Sequence, residues 1–515
     1  MKRIYTYIML ASVYLLSACT SLDIAPTSSI SDANFWKSPE QFSAFMDGMH
    51  TQLRSSLYNI FLLGEGRSDM FGGEAYGGES SNGRDAIPKN LISESNPMVS
   101  NYAGLYNNIN QANLLIYKSL ETSVLSEEAR NYLLGQAYGL RAFYYFHLLR
   151  SWGDVIIYTD PTLSISSTGL EKAVSSAADV MAQIKKDIQS SLDAFGNDYS
   201  FKGQKGQWSK AASLMLKAEA FLWSSRQMGG GVSDANEVKS ALTDIKTHVP
   251  DLGLNEKFED TFAYTKKGNK EIIFAVRYQK NEAVLFDGSY RQNFLPQNFY
   301  VKTYYKTDVA GNYSLIDPTV DNLLGQALFF VQLQNYTDFD PKDTRQRLSL
   351  RAMYEKQPDE SYKLIGLTPW KFQGTNETGS SERSMVDDYP IYRYADWLLM
   401  MAEAKMIAGE DPASEINLVR ERAFGNDYNV ATMGYPHQAI DADPERALLQ
   451  ERRFEFMMEA QRWYDLRRFG NKYVFEYTLA DKSDPRKLLW PIDKTTLTNN
   501  RELNQTPGYE QKTAQ

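Results

Sequence analysis

Acidic and basic side chains alternate between residues 451 and 468, and a run of this kind could do chemistry. It could supply catalytic acids, or it could form a network of ion pairs, because an arginine guanidinium pairs with both oxygens of a carboxylate. Alternation of charge along one helix favours the ion pairs. The residues concerned are Glu451, Arg452, Arg453, Glu455, Glu459, Arg462, Asp465, Arg467 and Arg468.

Motifs of known catalytic sites are incomplete in this sequence. The stretch Gly64-Glu65-Gly66 has Asp69 where a dinucleotide-binding loop has its third glycine. The stretch from Gly78 to Gly83 misses the spacing of a serine-nucleophile elbow by one residue. The four histidines belong to no metal-binding motif, and His147 is interpreted as a packing residue. The sequence therefore predicts a protein without catalytic residues, a bound metal or a cofactor.

The only cysteine of the chain, Cys19, follows a segment with the three-part build of a secretory signal. Two basic residues precede an apolar run from Ile4 to Leu16, which is shorter than the roughly 20 residues that a transmembrane helix needs. We therefore expect residues 1–18 to be a lipoprotein signal peptide that is removed. The mature chain would begin at a lipid-bearing Cys19, which anchors it to a membrane, with a flexible leader to about Ser31.

The overall charge of the chain is acidic. Removal of residues 1–18 would leave 53 basic against 64 acidic residues and change the formal net charge from −9 to −11. Because a protein neutralises nucleic-acid phosphates with a basic surface, this charge excludes nucleic acid as the partner. The chain also contains 33 tyrosines, whose rings suit sugars, peptides or a partner protein at the surface.

The scaffold that must position these side chains is predicted to be all-α. Apolar residues recur at spacings of three and four, which is the period of an amphipathic helix. The helices come in pairs, as in stacked hairpins of the tetratricopeptide type. No long Pro, Gly or Ser linker divides the chain, so we expect one compact unit over residues 19–515. The helical segments are 102–116, 129–150, 180–192, 211–222, 394–408, 413–423 and 446–460.

Two regions lack helical periodicity. Between about residues 251 and 390 one strand candidate, Glu271–Val276, stands in otherwise irregular sequence rich in Tyr and Asn. The stretch Gly64–Asn90 is also loop-like. The chain thus divides into an N-terminal helical part (about 32–250), a loop-rich insert with a few short strands (about 251–390) and a C-terminal helical part (about 391–515). Long irregular segments on a rigid scaffold usually carry the binding function.

The order of several sequence blocks resembles that of the SusD/RagB lipoproteins, cell-surface nutrient-binding proteins of Bacteroidetes-type bacteria. The resemblance spans nearly the whole chain. Ile156 and Ala460 depart from it, since the family commonly has Pro and Gly at these positions. The matching blocks are Asn34–Lys37, Leu105–Asn113, Leu140–Phe146, Trp152–Val155, Pro390–Asp396, Ala402–Ala404, Asn417–Ala423, Glu451–Arg453, Arg462–Arg468, Pro491-Ile492 and Asn504–Tyr509.

The resemblance implies a SusD-like fold with four tetratricopeptide-like helix pairs. It further implies a protein anchored by its lipid in the outer membrane and facing the cell exterior. Such a protein forms a lid over a SusC-like TonB-dependent transporter, to which it delivers glycans or peptides. The blocks identify the family and leave the ligand open.

Ligand-binding residues of the family lie on loops that differ between members, so we predict them from their chemistry. Sugar rings offer C–H faces to aromatic planes and hydroxyls to Asp, Asn and Arg. Segments 67–85, 286–305 and 368–385 combine such side chains. The predicted ligand-binding residues are Arg67, Asp69, Tyr76, Asn82, Tyr290, Asn293, Tyr304, Trp370 and Arg383.

Three functions remain open at this point. The first is an oligosaccharide-binding protein that delivers its ligand to the transporter. The second is a peptide-binding lid, which a charged cleft with few aromatic platforms would favour. The third is an enzyme on the same scaffold, which would need a converging acid and base in a concave site.

Overall fold

A computed structural model of the chain describes residues 35–99, 102–163, 170–297, 301–317, 321, 324–376 and 383–509. The predicted signal peptide and the predicted lipidation site, Cys19, lie outside these residues. Within the described ranges, no helix is both long and apolar enough to cross a membrane.

Helices dominate the structure, which confirms the predicted fold class. Each helix-period segment of the sequence coincides with one of these helices, although the segments 394–408 and 446–460 extend beyond the ends of theirs. In chain order the helices are α1 (Pro39–Glu65), α2 (Tyr102–Glu121), α3 (Glu127–Trp152), α4 (Ala177–Phe195), α5 (Lys210–Gln227), α6 (Gly231–His248), α7 (Ser289–Phe294), α8 (Gln334–Thr337), α9 (Arg345–Ser349), α10 (Tyr394–Ile407), α11 (Ala413–Phe424), α12 (Val430–Met433), α13 (Pro444–Phe456), α14 (Arg462–Phe469), α15 (Asn471–Tyr477) and α16 (Lys494–Asn499).

The long helices pack on their neighbours in sequence. Helices α1 and α2, α3 and α4, α5 and α6, and α10 and α11 form consecutive pairs, and α10 also packs on α5 and α6. The predicted helix pairs are therefore present. Helix α3 is central, because it contacts α1, α2, α4 and α5 and almost every residue from Leu133 to Trp152 is buried.

The helix ends follow local capping signals. The hydroxyl of Ser126 accepts the N–H of Ala129 at the start of α3, and Ser176 and Ser209 cap α4 and α5 in the same way. Helix α3 ends where Gly153 adopts a φ of 79°, which an L side chain disfavours.

The region predicted as loop-rich contains more strand than expected. Strand β1 confirms the strand candidate at 271–276, and it pairs with β8 in an antiparallel ladder. A separate antiparallel sheet has the order β3-β2-β4-β5, and its longest strands were expected to be irregular. The strands are β1 (Ile272–Val276), β2 (Tyr305–Thr307), β3 (Tyr313–Leu315), β4 (Leu350–Lys356), β5 (Tyr362–Pro369), β6 (Thr375–Asn376), β7 (Arg383–Ser384) and β8 (Tyr389–Arg393).

A buried network of arginines and carboxylates joins parts of the chain that are distant in sequence. Arg393 at the end of β8 pairs with Glu455 at 2.6 Å and Glu459 at 2.7 Å. Arg393 also pairs with Glu271 at 2.8 Å, and Arg345 pairs with Glu455 at 3.0 Å. Each of these five residues is at most 6% exposed. The ion-pair interpretation of the alternating run is thereby confirmed.

Helix α13 ends before the predicted limit at Ala460. Met458 and Ala460 adopt φ angles of 65° and 59°, which interrupt the helix before α14 begins. The Glu65 carboxylate at the end of α1 accepts the N–H of Met458 at 3.2 Å. A tertiary contact therefore stabilises a break that helical periodicity does not reveal.

Candidate functional site

A surface cleft of about 530 Å³ lies between the glycine-rich loop (residues 72–77), the segment before α8 (residues 331–333) and the edge strand β5. We call it the Tyr76 cleft. The glycine-rich loop and the segment before α8 are joined by an antiparallel β-bridge between Phe71 and Val331. The cleft is lined by Gly72, Gly73, Glu74, Ala75, Tyr76, Gly77, Tyr304, Val331, Gln332, Leu333, Gln334, Glu355, Lys363, Leu364, Ile365 and Gly366.

The glycine-rich loop lies close to the neighbouring backbone. The carbonyl of Phe330 accepts the N–H groups of both Gly72 and Gly73, at 3.1 and 3.0 Å. A Cβ on Gly73 would lie 2.5 Å from the carbonyl oxygen of Val331, and Gly72 has a φ of 100°. Both positions therefore require glycine. The two hydrogen bonds to Phe330 hold the loop at this edge of the cleft.

Tyr76 forms the aromatic wall of the cleft. Its ring meets Tyr304 edge-on at 6.4 Å and Phe330 at 5.4 Å. A Cβ on Gly366 would lie 2.5 Å from the Tyr76 ring, so the missing side chain in β5 makes room for that ring. The sequence predicted Tyr76 and Tyr304 separately, and the structure brings them together, although each is less than 10% exposed.

The accessible side chains of the cleft are mainly polar. Glu74, Gln334, Glu355 and Lys363 are exposed, while Leu333 exposes 39% of its surface. Carboxylate, amide and ammonium groups can bind hydroxyls or amides, and Leu333 can contact an apolar ring face. Such a lining suits recognition of a polar ligand that also has apolar faces.

A second, smaller cleft of about 280 Å³ contains the predicted residue Arg383. Burial raises the pKa of Asp387 in its wall to about 7, although the N–H of Gly374 and the charge of Lys267 lower it. Burial lowers the pKa of Lys371 to about 8, although Glu459 opposes that shift at 2.7 Å. The Lys371 ammonium is thus bonded to the interior network.

Trp370 is half-buried beside this second cleft. The Arg351 guanidinium lies 3.5 Å from the centroid of its ring, and Arg383 lies 5.9 Å from it. The structure therefore brings the predicted residues Trp370 and Arg383 together. Because Arg351 stacks on the indole, that face of Trp370 is occupied by the protein itself.

Arg67 is enclosed in the interior, at 1% exposure. Its guanidinium donates to the carbonyls of Leu488 and Leu489 at 3.1 and 2.9 Å, and it lies between the rings of Trp463 and Trp490. These contacts attach the C-terminal segment to the end of α1. A residue held in this way has no surface for a ligand, so we withdraw Arg67 from the site.

Three other residues that were predicted to bind the ligand are also buried. Both oxygens of Asp69 accept hydrogen bonds from Arg462 at 2.8 Å. Tyr290 is fully buried within an aromatic cluster, and the Asn293 amide donates to the Tyr58 hydroxyl. We withdraw Asp69, Tyr290 and Asn293 for this reason.

Asn82 is exposed at a turn and lines neither cleft. Sequence reasoning missed Leu333, Glu355 and Lys363, which line the Tyr76 cleft. Strand alternation in β4 and β5 is the signal that could have found the last two, because it places alternate residues on one face.

Comparison with known proteins gives matches over most of the chain. The sequence model described as SusD family matches residues 270–509. A second model, described as starch-binding associating with outer membrane, matches residues 22–219. Together the two models cover the strands, the C-terminal helical part and the N-terminal helical part up to residue 219.

Relatives and solved structures match the chain along most of its length. A SusD-like protein P38 of Formosa agariphila is 27% identical over 98% of this chain and 98% of its own length. The solved structure of B. fragilis NanU is 46% identical, with a TM-score of 0.88 over 95% of this chain and 100% of that one. A SusD superfamily protein of Bacteroides vulgatus is 45% identical, with a TM-score of 0.85 over 92% of this chain and 100% of that one.

Proposed function

This chain belongs to the SusD family, and on that premise we propose that it binds an oligosaccharide at the outer surface of the outer membrane. It acts as a binding protein that captures nutrient without changing it. The description of one matching family model, starch-binding associating with outer membrane, supports both the ligand class and the location.

The lining of the Tyr76 cleft is the observation that carries the proposal. Exposed Glu355 and Lys363 stand beside the apolar Leu333 and the backbone of the glycine-rich loop. Sugars present hydroxyls together with C–H faces, and this combination of groups complements both.

We further propose that a lipid on Cys19 holds the protein beside a SusC-like TonB-dependent transporter, which receives the ligand. The lone cysteine after an apolar leader supports the anchor. The transporter follows from the resemblance to the family. Labelling of cells with a palmitate analogue, compared between the natural chain and Cys19→Ala, tests the anchor.

Calorimetry with purified mature protein tests ligand binding. The probes are oligosaccharides from starch, laminarin and xylan, host-type glycans, and mixed peptides. We expect one glycan class to bind, and Glu355→Ala and Lys363→Ala each to weaken it about tenfold, because each loses a charged hydrogen bond. The exposed Lys186 on α4 provides the matched control, and Lys186→Ala should bind like the natural protein.

Three results would contradict the proposal. Binding of peptides with no glycan bound would favour the peptide-binding lid. Release of shortened sugars during incubation, followed by chromatography, would identify an enzyme. Unchanged glycan affinity in both cleft variants would move the site away from the Tyr76 cleft.

A further inference from the structure

One face of the four-stranded sheet carries a tyrosine from every strand. Residues paired directly across antiparallel strands share a face, and so do alternate residues along a strand. Tyr305 pairs with Tyr354, and Thr307 pairs with Tyr313. Tyr362 pairs with Lys356, two residues beyond Tyr354. We call Tyr305, Tyr313, Tyr354 and Tyr362 the tyrosine face.

The four rings of the tyrosine face contact one another. Tyr313 and Tyr362 are stacked, with centroids 3.8 Å apart and planes at 4°. Tyr305 meets Tyr362 at 5.0 Å, and Tyr354 meets Tyr313 at 5.1 Å, both edge-on. Such cross-strand pairs stabilise a sheet and keep its rings in fixed orientations.

The tyrosine face is exposed at Tyr313, whereas Tyr305, Tyr354 and Tyr362 are half-buried. Tyr313 exposes 40% of its surface and the neighbouring Leu315 exposes 56%, whereas Met353 on the opposite side of the sheet is fully buried. The contacts between the rings are explained by their role in stabilising the sheet. That role does not explain why the outer side of Tyr313 is left uncovered by the described residues.

The tyrosine face and the Tyr76 cleft meet at the edge strand β5. Leu364 pairs with Tyr354 on the face and also lines the cleft. Helix α8 joins the two as well, because Gln334 lines the cleft and Tyr336 hydrogen-bonds the side chain of Tyr354. Glu355 and Lys363 lie on the opposite face of the sheet from Tyr354 and Tyr362, so a ligand reaches the rings from the cleft by passing around the edge strand β5 near Leu364.

We infer that the ligand is an extended glycan chain that runs out of the Tyr76 cleft, passes around the edge strand β5 and continues across the tyrosine face. This inference rests on the proposed function and names the length class of its ligand. The cleft, at about 530 Å³, has the size of a site for a small ligand, so a longer chain must continue outside it. Flat sugar units would stack on the outer side of Tyr313, and the phenol hydroxyls and Lys356 would bind sugar hydroxyls.

Calorimetry with oligosaccharides graded by length tests this inference. The probes are maltooligosaccharides and laminari-oligosaccharides of two to about eight units, together with graded fractions of any other glycan that binds. We expect affinity to rise with length. Tyr313→Ala should weaken the longest probe about fivefold and leave the shortest unchanged, since it removes one stacking surface. Tyr313→Phe should restore the binding of long probes, because it keeps the ring.

Lys363→Ala provides the comparison within the cleft, and it should weaken short and long probes alike. Nitration of tyrosines in the natural protein gives a second readout that needs no variant. The longest bound probe should protect Tyr313, and the shortest should not.

The outcomes separate the two proposals. Affinity independent of length, with Tyr313→Ala neutral and Tyr313 nitrated equally with every probe, would overturn the extended chain and leave oligosaccharide binding intact. A protein that binds no glycan of any length would overturn both.

Discussion

Glu65 is a carboxylic acid in the interior of the molecule, at 1% exposure. Burial raises its pKa to about 8, although the N–H groups of Met458 and Arg462 and the charge of Lys371 lower it. The residue is therefore largely protonated at neutral pH when the protein is folded. In the unfolded chain its pKa returns to about 4.5.

The raised pKa of Glu65 makes stability depend on pH. Between about pH 4.5 and 8 folding takes up a proton, so the free energy of unfolding falls as the pH rises through this window. Glu65→Gln removes the titration. The loss of stability between pH 5 and 8 should then shrink by on the order of 3 kcal/mol, as measured by urea unfolding at both values.

The exposed Glu502 offers the matched control for this experiment. Glu502→Gln should keep the pH dependence of the natural protein. An unchanged pH dependence in Glu65→Gln would mean that Glu65 ionises normally in the fold.

At the residue scale, sequence predicts side-chain chemistry well and accessibility poorly. Arg67 and Asp69 have side chains suited to a sugar ligand, but a Trp pair and Arg462 from the distant C-terminal part enclose them. Tyr76 and Tyr304 carry the same kind of signal but line a cleft, where Gly366 leaves room for the Tyr76 ring. Burial is a tertiary property, so no local pattern separates the two cases.

The break between α13 and α14 is a feature of an element boundary. Ala460 adopts a φ of 59°, which costs an L residue about 1–2 kcal/mol relative to a right-handed conformation. Glycine has no such cost, and the family commonly has glycine at this position. Ala460→Gly should therefore raise the free energy of unfolding by about 0.5–1 kcal/mol in urea denaturation.

The same substitution within a regular helix should have the opposite sign. Ala182 is exposed on α4, and Ala182→Gly should lower the free energy of unfolding by about 1 kcal/mol. A loss of stability in both variants would show that the left-handed conformation of Ala460 is not strained.

At the element scale, helices are predictable because their apolar period is local. The segments at 180–192 and 211–222 fall inside α4 and α5. The sheet was harder to predict, because β4 and β5 contain Arg351 and Gly366, and β2 and β3 have three residues each. Their pairing depends on contacts between strands up to about 50 residues apart, which no local period encodes.

For the whole molecule, the arginine–carboxylate network is the feature that joins the C-terminal helical part to the strand-containing region. Its central member is Glu455, which is bonded to Arg393, Arg422 and Arg345. Burial alone would raise the pKa of Glu455, but these three arginines hold it well below its ordinary value. The network therefore stabilises the fold above about pH 4.5, and this contribution is lost as the pH falls.

Removal of one charge from this network should destabilise the whole fold. Glu455→Gln removes one carboxylate partner from each of three buried arginines and leaves the network with an excess of positive charge, so we expect a loss of about 3 kcal/mol in urea unfolding followed by tryptophan fluorescence. The exposed pair of Glu360 with Lys356 provides the contrast, because Glu360→Gln should cost less than about 1 kcal/mol. A loss below about 1 kcal/mol in Glu455→Gln would mean that the network contributes little to stability.

Gly366 borders the Tyr76 ring of the cleft and takes no part in the arginine–carboxylate network that stabilises the scaffold. A methyl group at this position would lie 2.5 Å from the Tyr76 ring, so the aromatic wall of the cleft would have to shift. Position 366 is thus a point at which selection can change the ligand size that a member of this lineage accepts. The distant ionic core would tolerate such a change, so ligand preference can diverge quickly while the architecture is inherited unchanged.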